Sequence, residues 1–70
     1  MKIGDLVLTP ESVRNQYGYY DKWWWTGKAG IIVREAIPMK GISGAWKKCW
    51  HVLIGNQIAN LREESLELVG

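Results

Sequence analysis

The seventy residues contain no phenylalanine, one cysteine, one histidine and two prolines. Each scarcity removes a class of explanation. With Cys49 alone, no disulfide can staple the monomer, a usage that fits a reducing compartment. One Cys and one His fall short of the four ligands of a structural zinc site. No apolar run approaches the ~20 residues of a membrane span. Asp5 interrupts the apolar start after Ile3, so no signal peptide is expected. Gly27-Lys28-Ala29-Gly30 lacks the spacing and the preceding strand of a phosphate-binding loop. Charge of either sign is also modest: nine Lys and Arg against seven Asp and Glu leave +2, weak for a nucleic-acid binder. The acids gather at Glu63, Glu64 and Glu67, while Lys22, Lys28, Arg34, Lys40, Lys47 and Lys48 make the middle more basic.

What is present is tryptophan and tyrosine, five and three of them, six lying within residues 17–25. These side chains join a large apolar body to a polar tip, which suits half-wet surfaces better than a dry core. At this length the chain forms one domain, residues 1–70. A core of this size supplies only ~3–5 kcal/mol of net stability unless partners help.

The most strongly patterned stretch is 46–54. Trp46, Trp50, Val52 and Ile54 share one face, interrupted by Lys48. Lys47, Cys49, His51 and Leu53 share the other. Period-two alternation of large and β-branched residues predicts a strand with one buried face. Gly55-Asn56 closes it in a tight hairpin, followed by a strand over 57–62 with Ile58 inward. Residues 1–8 read as a first strand bent at Gly4-Asp5, with Leu6 and Leu8 opposite Val7. Residues 30–36 read as a second strand, with Ile31 and Val33 inward because Arg34 shares parity with Ile32, and with Pro38 ending it. Residues 39–45, with Gly41, Ser43 and Gly44, read as a flexible connection. A single helical or 3₁₀ turn is expected within 61–66 and a short last strand over 66–69.

Between the first two strands, Thr9-Pro10-Glu11 has the form of a helix start. Gly18 has the form of a stop, which predicts a two-turn helix over 10–17. If Trp23-Trp24-Trp25 is a strand, Trp23 and Trp25 face one way and Trp24 the other. Five short strands with a long loop after the first predict an all-β fold. A small closed barrel is the economical form, because closure removes free sheet edges.

Lys2-Ile3-Gly4-Asp5-Leu6-Val7, Gly30-Ile31-Ile32-Val33, Trp50-His51-Val52-Leu53 and Glu64-Ser65-Leu66-Glu67-Leu68-Val69 together resemble the SH3-like barrel pattern, and most of all small bacteriophage proteins of that fold. The same skeleton is similar to Tudor and KOW-type modules. The likeness covers about half of the chain. It implies a five-stranded SH3-like barrel with a short helix and a long aromatic loop after the first strand. It also implies an attachment role, as such barrels serve on phage heads and tails. Two features depart from the pattern: the loop over 9–28 is longer and more aromatic, and Gly55-Asn56 lacks an expected acidic residue.

Catalysis finds little footing. Cys49 and His51 lie two apart on one strand face, roughly 7 Å, too far for the direct hydrogen bond of an activated thiolate. A buried thiol beside a surface histidine is the simpler reading, so neither enzyme activity nor a cofactor is expected. Stacking of bases on Tyr19, Tyr20, Trp23 and Trp24 beside Arg14, Lys22 and Lys28 is one alternative. An aromatic cage for a methylated cation is another, although contiguous rings suit it poorly. The leading expectation is a protein interface made by Tyr17, Tyr19, Tyr20, Trp23, Trp24 and Trp25. Arg14, Arg34, Trp46, Lys47 and Lys48 would add to its rim, with Trp23 and Trp25 also plugging the barrel end. The implied partners are other virion proteins (capsid, neck or tail subunits) in many copies, with no membrane. The implied location is the virion, after synthesis in the host cytoplasm.

Overall fold

A computed structural model describes residues 1–14, 17–41 and 44–69. The elements are β1 (Leu6–Leu8), β2 (Val13–Arg14), β3 (Tyr20–Asp21), β4 (Ala29–Lys40), β5 (Trp46–Ile54), β6 (Gln57–Arg62), a 3₁₀ turn (Glu63–Ser65) and β7 (Glu67–Leu68). The fold is all-β, with no α-helix among the described residues. One antiparallel sheet runs in the order β6-β5-β4-β1-β7, and β2 and β3 form a separate two-stranded ladder. The predicted strand 46–54 is β5, paired along both edges to β4 and β6; Trp50, Val52 and Ile54 are inside as expected, but Trp46 is 70% exposed and Cys49, from the other face, is fully buried. Expected closure is not seen: among the described residues no ladder joins β6 to β7, which remain the outer strands.

The core is one cluster: Val7 from β1, Ile32 from β4, Trp50, Val52 and Ile54 from β5, Ala59 and Leu61 from β6, and Leu66 after the 3₁₀ turn. No helix layer covers this face; instead Trp25, from the long loop, packs against it. At Gly30 the strands approach too closely for any side chain. A Cβ there would sit 2.5 Å from Val52 Cγ1 and 2.9 Å from the Leu53 carbonyl oxygen. Gly55 has φ +64°, the left-handed value that the first residue of a tight two-residue hairpin requires.

Several expectations are corrected. Ile32, not Ile31, is inward: Ile32 is fully buried opposite Val52, while Ile31 is 46% exposed opposite Leu53. The register shift between Ile32 and Arg34 explains the reversal. An extra residue, Val33, faces a single step of β5, so Arg34 turns outward although it shares parity with Ile32. Ile58 is likewise outward, since the two-residue turn pairs it with Leu53, while Ala59 and Leu61 pair with Val52 and Trp50 inside. Pro38 does not end the strand. It lies within a second irregularity, between Ala36 and Met39, where no regular ladder hydrogen bond is interrupted. Gly41 N–H then donates to the Ala45 carbonyl at 2.8 Å, which closes the return into β5; Ser43 of the expected connection lies outside the described residues.

The helix over 10–17 is also not formed. Residues 13–14 are strand, and positions 15 and 16 lie outside the described residues. Thr9 does not cap anything: its hydroxyl is used across the loop, and the Pro10 carbonyl accepts from Gly27 N–H at 2.8 Å. Nor are the three tryptophans a strand, for Trp24 to Gly27 turn.

Candidate functional site

The long loop between β1 and β4 is held by its neck. Thr9 N–H donates to the Lys28 carbonyl at 2.8 Å, and Lys28 N–H donates to Thr9 Oγ1 at 2.8 Å. The same hydroxyl lies 2.6 Å from the Trp25 carbonyl oxygen and 3.0 Å from that of Lys28. Thr9 is the one buried polar residue among those described. Beyond the neck, Thr26 knots the tryptophan turn: its hydroxyl donates to the Trp23 carbonyl at 2.7 Å and accepts from Trp23 N–H at 3.1 Å. Farther out, β2 and β3 pair Val13 with Asp21 and Arg14 with Tyr20. The loop is thus a hydrogen-bonded arm rather than a helix with a tail.

The arm presents its rings unequally. Tyr17, Tyr19 and Tyr20 are each at least 70% exposed, and Trp23 and Trp24 are about half exposed. Trp25 is half-buried against the core. Of the two tryptophans expected to plug the fold, only Trp25 does so, because the turn at 24–27 splays neighbouring indoles instead of alternating them. Arg14, Lys22 and Lys28 are exposed on the same arm.

The other expected rim residues are placed elsewhere. Arg34 Nε donates to His51 Nδ1 at 2.9 Å. Trp46, Lys47 and Lys48 line a groove of about 430 Å³ with Glu63, Glu64 and Leu66, and no residue of the arm contributes to it. Lys47 Nζ lies 3.4 Å from Glu64, and Lys48 Nζ lies 3.9 Å from Glu35 and 4.8 Å from the centre of the Trp50 ring. Trp50 Nε1 donates to Glu63 Oε2 at 2.7 Å, which ties the 3₁₀ turn to the core.

Sequence reasoning missed two surfaces. One is a row of aliphatic side chains on the outer sheet face: Leu6 opposite Ile31, Ile31 opposite Leu53, Leu53 opposite Ile58. Correct parity in β4 and β6 would have revealed it. The other is a groove of about 330 Å³ between the arm and the β6 end, lined in part by Arg14, Trp25, Met39 and Arg62. It joins residues far apart in sequence, and no local signal announces it.

Cys49 is fully buried, its thiol 3.6 Å from the Lys47 carbonyl oxygen, while the His51 ring is engaged with Arg34. Among the described residues no three His, Cys, Asp or Glu side chains gather as a metal site. No helix among them is long and apolar enough to cross a membrane. The chain matches no protein-family model, no curated protein and no solved structure.

Proposed function

We propose that the protein is a non-enzymatic binding and structural module on an SH3-like barrel, and that it serves as a phage virion component that decorates the capsid or joins neck or tail parts. The strand order, with β1 between β4 and β7 and a 3₁₀ turn before the last strand, supports the barrel reading. The observation that carries the function is the arm: five tyrosine and tryptophan side chains, each about half exposed or more, on a loop clamped at its neck. Rings of this kind anchor interfaces, and left uncovered they form an adhesive patch. Burial against another virion subunit removes that liability, with Arg14 at the rim. Recovery of the protein from purified particles by mass spectrometry is the direct test. Trp24→Ala is expected to leave the isolated fold intact and to weaken partner binding by at least ~2 kcal/mol. An unchanged affinity with a lost fold would make Trp24 a core residue and defeat the reading.

A nucleic-acid-binding or regulatory barrel is the second reading, favoured by Arg14, Lys22 and Lys28 standing among the exposed rings. Salt-titrated binding to DNA and RNA separates the two. A steep loss of affinity with salt favours this reading, and no binding at low salt removes it.

A further inference from the structure

The two grooves differ in charge balance. In the groove beside Trp46, two lysines face two glutamates, and Lys47 is paired with Glu64. The groove between the arm and the β6 end holds Arg14 and Arg62 and no lining carboxylate. Half of its lining is apolar: Val13, Trp25, Met39 and Leu61. Arg62 Nη1 lies 3.8 Å from Glu64 Oε1, beyond hydrogen-bond distance and weak where solvent competes. Two arginines lining one groove with apolar side chains match a carboxylate next to a large apolar side chain, because the planar fork of a guanidinium takes both carboxylate oxygens. About 330 Å³ accommodates one such pair of side chains.

We propose that this groove binds an acidic-apolar segment of a partner protein, an Asp or Glu adjoining a Leu-like residue. The apolar side chain lies on Trp25 and Met39 and the carboxylate bridges Arg14 and Arg62. The inference rests on the reading of the chain as a protein-binding module, but it concerns a surface separate from the Trp24 side of the arm. A nucleic-acid strand fits less well, since two arginines in one groove neutralise few phosphates and the whole chain, with nine Lys and Arg against seven Asp and Glu, carries only +2.

The test is a ¹H–¹⁵N NMR titration of the whole chain with the capped peptide Gly-Asp-Leu-Asp-Gly, and with its amide analogue Gly-Asn-Leu-Asn-Gly. Shifts are expected at the Trp25 indole and around Arg14 and Arg62, with the amide analogue at least tenfold weaker. Arg14→Lys, which keeps the charge but loses the fork, should weaken the acidic peptide by about threefold. Arg62→Gln should weaken it at least tenfold. Trp24→Ala should bind the peptide like the unaltered chain, so this proposal and the aromatic-arm reading fail separately. Equal binding of both peptides overturns the proposal. So do shifts confined to Tyr17, Tyr19 and Tyr20, the absence of any shift at millimolar peptide, and tighter, salt-sensitive binding of a thymidine oligonucleotide in the same groove. The paired peptides keep the test decisive even if Arg62→Gln fails to fold.

Discussion

Replacing Thr9 by valine keeps the shape of the side chain and removes only its oxygen, at the point where the arm meets the sheet. A threonine hydroxyl has one proton to give. The Trp25 carbonyl at 2.6 Å is the better placed receiver, since the Lys28 carbonyl at 3.0 Å already accepts from Thr9 N–H. The lone pairs of Oγ1 accept from Lys28 N–H at 2.8 Å. Valine therefore deletes one donated and one accepted hydrogen bond at a residue only 6% exposed. Losing the donated bond costs ~0.5–1.5 kcal/mol, and leaving the Lys28 N–H without an acceptor costs ~1–3 kcal/mol. The sum, ~1.5–4.5 kcal/mol, is a large share of the ~3–5 kcal/mol that a core of this size supplies. With a urea dependence of ~1 kcal/mol per molar, the midpoint should fall by about 1.5 M or more, read by circular dichroism. Thr9→Ser, which keeps the hydroxyl, should lose far less. A Thr9→Val protein within ~0.5 kcal/mol of the original would refute the clamp as a source of stability.

Three further outcomes are expected. Gly30→Ala should destabilise by more than ~2 kcal/mol, because the new methyl would meet the Leu53 carbonyl oxygen, which cannot rotate away; thermal melting measures it. Trp50→Phe should cost ~2 kcal/mol or more in the same measurement, since Glu63 loses the indole N–H and the core loses volume. Cys49, fully buried, should react with a disulfide reagent about 100-fold more slowly in the folded chain than in urea, a ratio set by opening against ~3 kcal/mol; comparable rates would place the thiol at the surface.

The parts of the fold that local pattern controls were legible. β5 and its turn follow from the alternation at 46–54 and from Gly55-Asn56, and the 3₁₀ turn from 61–66. Parity in β4 was not legible, because a bulge at Val33 leaves no mark in the residue types around it. Parity in β6 could have been drawn: a two-residue turn pairs Ile54 with Gln57, which fixes Ala59 and Leu61 inside. The helix expected after Thr9 failed through tertiary override, since the residues of a helix cap were recruited into a long-range clamp instead. For the site, the exposure of Trp24 and of tyrosines beside it followed from their number and crowding, whereas Trp23, expected to help plug the fold, is 55% exposed. Trp25 packs against the core as expected, but the sharing of one groove by Arg14 and Arg62 depends on how the arm folds back.

β7 pairs with β1 through Val7 and Leu68, and Val69 N–H donates to the Leu6 carbonyl at 2.9 Å. Residues 6 and 69 are therefore neighbours, and the chain enters and leaves the sheet side by side. A module with that geometry can be spliced into a surface loop of another protein by two short linkers without stretching either join. It can also be rewired: a few residues joining position 69 to position 6 would free the exposed turn at Gly55-Asn56 to become a new pair of ends.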